Sequence, residues 1–305
     1  MGKVSVADIK ALMKSTGVGM MDCKKALEAN EGDMDKAVEF LREKGLATQA
    51  KKATRAAAEG VVAAVVNGNV GVLLEVNTET DFAANTDDIR NFVNAVANTI
   101  IEKNPADVEA LKAETISGGT GTVGEALTEL AGMKIRENVV IRRFARFEGV
   151  LASYIHNGGS IGVMVKLDTD LSAEQVATIG KDVAMQSAAL NAPYLCREDV
   201  PDEVLAKEKE IILAQMAEDP KMASKPEQVK AKIAEGKVGK YYSENCLLEQ
   251  SFVKDDKLSV QGYVDAEAKK LGGSIKVVEV VRYERGEGIE KKEDNLADEV
   301  AKMIK

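Results

Sequence analysis

An internal repeat restricts what this 305-residue chain can fold into more than any other feature. Glu59-Gly60-Val61-Val62-Ala63 returns as Glu148-Gly149-Val150-Leu151-Ala152, and Asn67-Gly68 returns as Asn157-Gly158. Gly71-Val72-Leu73-Leu74-Glu75-Val76 then returns as Gly162-Val163-Met164-Val165-Lys166-Leu167, with two residues inserted at the second turn. An Asn-Gly pair between two β-rich runs predicts a hairpin, because both residues tolerate the left-handed conformations of a tight turn. Apolar residues at helical spacing follow each copy: Ile89, Phe92, Val93, Val96 and Ile100 in the first, Val176, Ile179 and Val183 in the second. Ser172 and Gln175 form a capping box for the latter helix. Val139 to Phe147 and Ile275 to Tyr283 are rich in β-formers and can each add a third strand. The expected fold class is α+β, with a duplicated core of two small antiparallel sheets and helices.

Around this core the pattern is helical. Residues 1–46 read as three short helices: Ser5 and Asp8 cap the first, the second runs from near Asp22 through Leu27, and Asp33 caps a third that Gly45 is placed to end. Three helices in so short a span resemble a ubiquitin-associated-type bundle. Residues 47–58 form an Ala-rich, helix-prone linker carrying Lys51, Lys52 and Arg55, and residues 59–140 and 141–285 are the two core halves. The second half carries an insertion at about 201–238 that reads as a helical hairpin, with Leu205, Ile212 and Met216 on one limb, a break at Asp219-Pro220, and Ser224 with Glu227 capping the return. That hairpin either packs on the body or protrudes and pairs, which leaves a homodimer open. Residues 286–305 form a C-terminal module, a Gly286-Glu287-Gly288 turn and an amphipathic helix over Leu296 to Ile304.

Composition removes several classes of function. The net charge is −9, yet residues 1–55 hold eleven Lys/Arg against eight Asp/Glu, a net of +3, so the rest carries −12. An acidic body without Trp suits neither DNA nor RNA, which require clustered positive charge. Three scattered cysteines (Cys23, Cys196 and Cys246) argue for a reducing compartment and against a disulfide framework or a zinc site. No signal peptide or long apolar run is present, so the expected location is the cytoplasm, without a membrane association. The lone histidine, His156, falls at the second hairpin turn and cannot by itself build a His-based metal or catalytic centre. No cofactor, metal or catalytic residue is implied. Gly119-Thr120-Gly121-Thr122-Val123-Gly124 fits G-X-G-X-X-G, but a helix precedes it instead of the strand that a dinucleotide fingerprint requires.

What remains points to a partner. Thr16-Gly17-Val18-Gly19-Met20-Met21-Asp22-Cys23-Lys24-Lys25-Ala26-Leu27 puts two flexible apolar side chains at a helix start, either packed in a small helical core or offered as an adaptable contact. Thr80-Asp81-Phe82 follows the second strand of the first half, where Phe82 is a local core plug or an interface anchor. The corresponding stretch of the second half reads Asp170-Leu171-Ser172, without the aromatic.

These two motifs, with the duplicated core, the helical hairpin and the Gly286-Glu287-Gly288-Ile289-Glu290 ending, closely resemble the bacterial elongation factor Ts family over nearly the whole chain. The resemblance implies a nucleotide-exchange factor for the translational GTPase elongation factor Tu, bound in its GDP-loaded and nucleotide-free forms, with no covalent chemistry. It implies that the head docks on the GTPase through Met20, Met21 and Lys24, with Lys10, Leu12 and Lys51 near that contact. It further implies that Asp81 and Phe82, after Thr80, wedge in near the partner's magnesium site and that His156 touches its outer region. The family's Ile-Gly core contact falls on Ile135 and Arg136, where Arg departs from the pattern. The rival readings are a scaffold or adaptor using the helical head, and an enzyme using the glycine loop.

Overall fold

Both hairpins form where the Asn-Gly pairs place them. In the computed structural model, which describes residues 4–16, 18–219 and 225–290, β1 (Glu59–Asn67) pairs antiparallel with β2 (Val70–Thr78) in unbroken register from Glu59 opposite Thr78 to Asn67 opposite Val70. Gly68 turns the chain at φ +60°. β3 (Val140–Glu148) takes the other edge of β2 to give the order β1-β2-β3. The second copy supplies β4 (Val150–His156) and β5 (Ile161–Thr169); then β6 (Ser251–Phe252) and β7 (Asp255–Ser259) form a short separate ribbon. β8 (Ile275–Glu284) completes the second sheet in the order β4-β5-β8. Both expected third strands are therefore present. The duplication reaches backbone detail: the equivalent Gly60 and Gly149 take φ of +133° and +134°. A Cβ at Gly60 would lie 2.2 Å from the Val76 carbonyl oxygen, so no larger residue fits there.

The chain divides into two compact units. The first holds the chain up to Arg146, the second hairpin turn Ile155–Gly162, and the segment from Tyr283. Its head is α1 (Val6–Thr16), α2 (Met20–Ala29) and α3 (Met34–Lys52). Ser5 and Asp8 exchange the expected capping bonds, and the Lys36 N–H donates to Asp33 Oδ1 at 3.1 Å to start α3. The head's core gathers Leu12, Val18, Cys23, Leu27 and Leu41. α3 does not stop at Gly45 but runs on to Lys52, through much of the expected linker. After β2 come a single turn α4 (Asp81–Ala84), α5 (Asp87–Lys103), α6 (Val108–Ala113) and α7 (Val123–Glu129), which continues as a wide turn over Leu130–Lys134. Ile89, Phe92, Val93, Val96 and Ile100 of α5 pack on Val72, Leu74 and Val76 of β2, as the helical spacing predicts.

One buried charge organises this unit. Glu75, in the middle of the central strand, is fully buried. It accepts from Arg142 at 2.9 Å, Arg143 at 2.6 Å and the Gly286 N–H at 2.8 Å. Arg143 also meets Glu287 at 3.0 Å and lies 4.2 Å over the Tyr283 ring, so the chain after β8 is fastened to β3 through the same cluster. Burial opposes ionisation of Glu75, but the Gly286 N–H and the two guanidiniums outweigh it and hold the carboxyl below the usual range.

The second unit comprises Phe147–Tyr154 and Val163–Arg282. α8 (Ala173–Ala189) starts at the predicted Ser172–Gln175 capping box and packs with Val176, Ile179 and Val183 inward. α9 (Asp202–Glu218) and α10 (Glu227–Asn245) form the helical hairpin, with Ile212 and Met216 buried and Ile211 and Leu213 outward. α10 begins directly after Pro226; the cap expected from Ser224 and the break at Pro220 lie outside the described residues. α11 (Val260–Leu271) leads into β8. Asp182 on α8 is buried and takes Lys254 Nζ at 2.6 Å and the Tyr263 hydroxyl at 2.8 Å. The C-terminal helix expected over Leu296 to Ile304 also falls outside the described residues.

Candidate functional site

Of the two readings for the methionine pair, the structure supports exposure. Val18 turns inward and fills the head's core, and the Cys23 thiol donates to its carbonyl at 3.4 Å. Gly19 then starts α2, accepting from the Asp22 and Cys23 N–H groups at 3.1 Å each. With the inner places taken by Val18, Cys23, Ala26 and Leu27, Met20 is 49% and Met21 63% exposed. Such apolar area in water costs about 25 cal/mol per Å². Lys24 is exposed one turn on, paired with Glu28 at 3.7 Å; Lys10 and Lys51 are exposed on α1 and α3. Leu12, expected near the same contact, is instead fully buried at the centre of the head, where it holds the bundle together.

Phe82 is the most exposed large apolar side chain described, at 84%. It sits on α4, a turn too short to persist by itself, so its surroundings must fix it. Thr80 caps α4 by accepting the Ala83 N–H at 3.2 Å. The Thr80 N–H and hydroxyl both donate to Glu137, at 3.0 and 2.8 Å, and its carbonyl accepts from Thr78 at 2.7 Å. Below it, Asn85 Nδ2 donates to the Asp81 carbonyl at 2.8 Å, and Ala83 and Ala84 are buried. The ring stands on a pinned support and is not a core plug.

What does the pinning lies far off in the chain and has little local signal. Glu137 has a neighbour, Arg136, in the left-handed region at φ +61°, a conformation that costs a side-chain-bearing residue about 1–2 kcal/mol. Its guanidinium pairs with Asp22, the residue after Met21, which also takes Lys44 Nζ at 2.8 Å. The hydrogen bond from Lys44 leads in holding the Asp22 carboxyl below its usual range, despite partial burial. Ile135 is half-buried against the first core. His156 is exposed at the end of β4, on the hairpin turn that belongs to the first unit.

Among the described residues, no group of three or more His, Cys, Asp or Glu is arranged to hold a metal ion. The glycine-rich loop follows α6, not a strand, and lines a cleft of about 880 Å³ beside Glu39, Glu43, Glu125 and Glu129. Its Thr122 N–H donates to the Glu125 carboxylate at 2.9 Å, the second half of a capping box, so the loop is spent on starting α7. Among the described residues no helix is long and apolar enough to cross a membrane.

The family model described as "Elongation factor TS" matches residues 79–287, a span that opens at the Phe82 turn and closes at the Glu75 cluster. The chain is 48% identical to Elongation factor Ts of Trichlorobacter lovleyi, over 98% of this chain and 97% of that protein. It is 47% identical to Elongation factor Ts of Clostridium perfringens, over 98% and 99% of the two chains. The chain belongs to the elongation factor Ts family. The same holds for the head, which the family model leaves out but the full-length relatives include; Elongation factor Ts of Syntrophotalea carbinolica aligns with 99% of this chain at 44% identity. Family membership assigns a part in translation elongation, and the expected α+β fold and resemblance are those observed.

Proposed function

We propose that the chain binds elongation factor Tu and drives GDP from it, acting as a nucleotide-exchange factor without covalent chemistry, in the cytoplasm. The observation that carries this reading is Phe82, a large apolar ring held out in water by a capped, tethered turn. A residue so placed gains most from entering a partner's pocket, and aromatic anchors of this kind commonly contribute about 2–4 kcal/mol. Asp81, beside it, is exposed and brings a negative charge close to any cation the ring approaches. Met20 and Met21 with Lys24 offer a second, adaptable contact on the head, and Lys10 and Lys51 add positive charge to it. Ile135 and His156 belong to the same unit and are carried as further contacts. Should a second copy bind, the outward Ile211 and Leu213 of the helical hairpin are the apolar surface it would use.

The mechanism is a difference in binding. GDP is held on such a GTPase by a phosphate-cradling loop and Mg²⁺. A wedge that fits only when the magnesium site is disturbed binds the nucleotide-free state best, and GTP in excess then displaces it. Coupling is reciprocal, so GDP must weaken the factor's binding as much as the factor weakens GDP's. A 10⁴-fold effect requires about 5.5 kcal/mol of differential binding, within reach of one buried ring and several smaller contacts. The test is the affinity of the chain for elongation factor Tu with and without saturating GDP. An exchange factor loses affinity steeply when GDP is added; a scaffold that merely docks its helical head keeps the same affinity, and that result would refute the proposal.

A further inference from the structure

The two surfaces assigned to the partner lie on different elements, yet both are tied to one short segment. Arg136 reaches Asp22, next to Met21. Glu137 holds Thr80, two residues before Phe82. The Asn138 N–H donates to Glu79 at 2.6 Å, and its side chain donates to the Arg55 carbonyl, just beyond α3, at 2.7 Å. The head seats on the same region: Met133 joins the head's own core, and a Cβ at Gly132 would lie 2.3 Å from the Gly45 carbonyl oxygen. Gly45 lies within α3 without ending it, and a Cβ there would come 3.1 Å from Met133 Cγ. The duplication supplies the comparison. In the second half the left-handed residue between the last helix and the third strand is Gly272, at φ +71°. The first half puts Arg136 there and accepts the strain, and what the arginine reaches is the turn carrying Met20 and Met21.

We propose that residues 132–138 brace the head against the body, so that the methionine pair and Phe82 meet one partner surface in fixed geometry, with Arg136 as the positioning residue that sets the head's orientation. The consequence for exchange rests on the reading above; the geometry of the free chain does not.

The test begins with Arg136→Gly, which removes the side chain and leaves a residue that the backbone conformation favours. Spin labels at Lys25→Cys on α2 and Asp88→Cys on α5, in a Cys196→Ser background that leaves only the buried Cys23 and Cys246, report the distance between head and body. Pulsed dipolar spectroscopy of the free chain should give one narrow distribution for the parent, a distribution wider by roughly a factor of two or more for Arg136→Gly, and an intermediate width for Arg136→Lys. Gly132→Val, which cannot seat against Gly45, shifts the mean distance and shows that the label pair senses displacement. An Arg136→Gly distribution as narrow as the parent's overturns the brace. In nucleotide-release titrations against elongation factor Tu, Arg136→Gly should raise the half-saturating concentration about tenfold and leave the saturating rate within about twofold. A fall in the saturating rate with an unchanged half-saturating concentration also counts against a positioning role. A parent chain that fails to accelerate release defeats the exchange reading alone, since the distance measurement does not involve the GTPase.

Discussion

The two halves of the duplicated core solve the same problem after their second strand and then part ways. In the first, Thr80 is tied to Glu137, just upstream of β3. In the second, Thr169 donates to the Ser274 carbonyl at 2.6 Å and the Ser274 N–H donates to Asp170 at 2.7 Å, just upstream of β8. Both ties fasten the exit of the central strand to the entry of the third. On top of that shared tie, one half inserts the turn α4 and lifts Phe82 into solvent, whereas the other lays Leu171 over Gly273 and goes directly into α8. The tie is architecture, present in both copies; the exposed ring is an addition to one.

That contrast can be broken in several places. The largest expected effect is at Glu75, whose counterpart in the second half is Lys166. Glu75→Ala leaves Arg142 and Arg143 facing an empty site and should cost about 3–5 kcal/mol in chemical denaturation. Lys166→Ala, at a half-buried cation, should cost under about 1 kcal/mol. Equal losses would mean that the buried cluster is not what distinguishes the first half. Next come the caps. Thr80→Val and Ser172→Ala each remove a helix cap and should each lower stability by about 1 kcal/mol in thermal melts. The variants separate in function, because Thr80→Val also releases the turn bearing Phe82 and should weaken the binding of elongation factor Tu, while Ser172→Ala should not.

The smallest effect is one of pH. The Glu75 carboxyl titrates lower in the folded chain than in the unfolded one, where its ordinary value is about 4.5. The folded state therefore holds fewer protons in that window, and stability rises with pH across it. The contribution is complete above about pH 4.5 and fades as the pH falls through the folded value. Denaturation midpoints measured from pH 6 down to about pH 3 should show this acid limb in the parent and a shallower one in Glu75→Gln; parallel curves would remove Glu75 as its source.

Local pattern made much of this molecule legible. The Asn-Gly turns, both third strands, the Ser172 box and the buried faces of α5 and α8 were all readable because each depends on residues close in sequence. The failures share one cause, which is contact between distant segments. Gly45 reads as a helix stop, yet α3 passes through it and lies against Gly132 and Met133, far on in the sequence. Leu12 carries a family likeness to contact residues, but its helix face turns into the bundle. Glu75 interrupts an apolar strand, and that interruption was the one available hint of Arg142 and Arg143 some seventy residues on. Arg136, standing where the resembling family has glycine, likewise hinted at a strained backbone but not at Asp22. Exposure of Met20, Met21 and Phe82 could not be read at all, since the same residue types fill cores.

Whether Phe82 acts from outside as a wedge is decided by stopped-flow release of a fluorescent GDP analogue from elongation factor Tu. With parent, Phe82→Ala and Leu171→Ala compared at equal concentration, Phe82→Ala should slow release by the equivalent of about 2–4 kcal/mol, roughly thirtyfold or more. Its melting temperature should stay near the parent's, because the ring packs on little of its own chain, and Leu171→Ala should release GDP at the parental rate. Parental release by Phe82→Ala would rule out the wedge, however exposed the ring is.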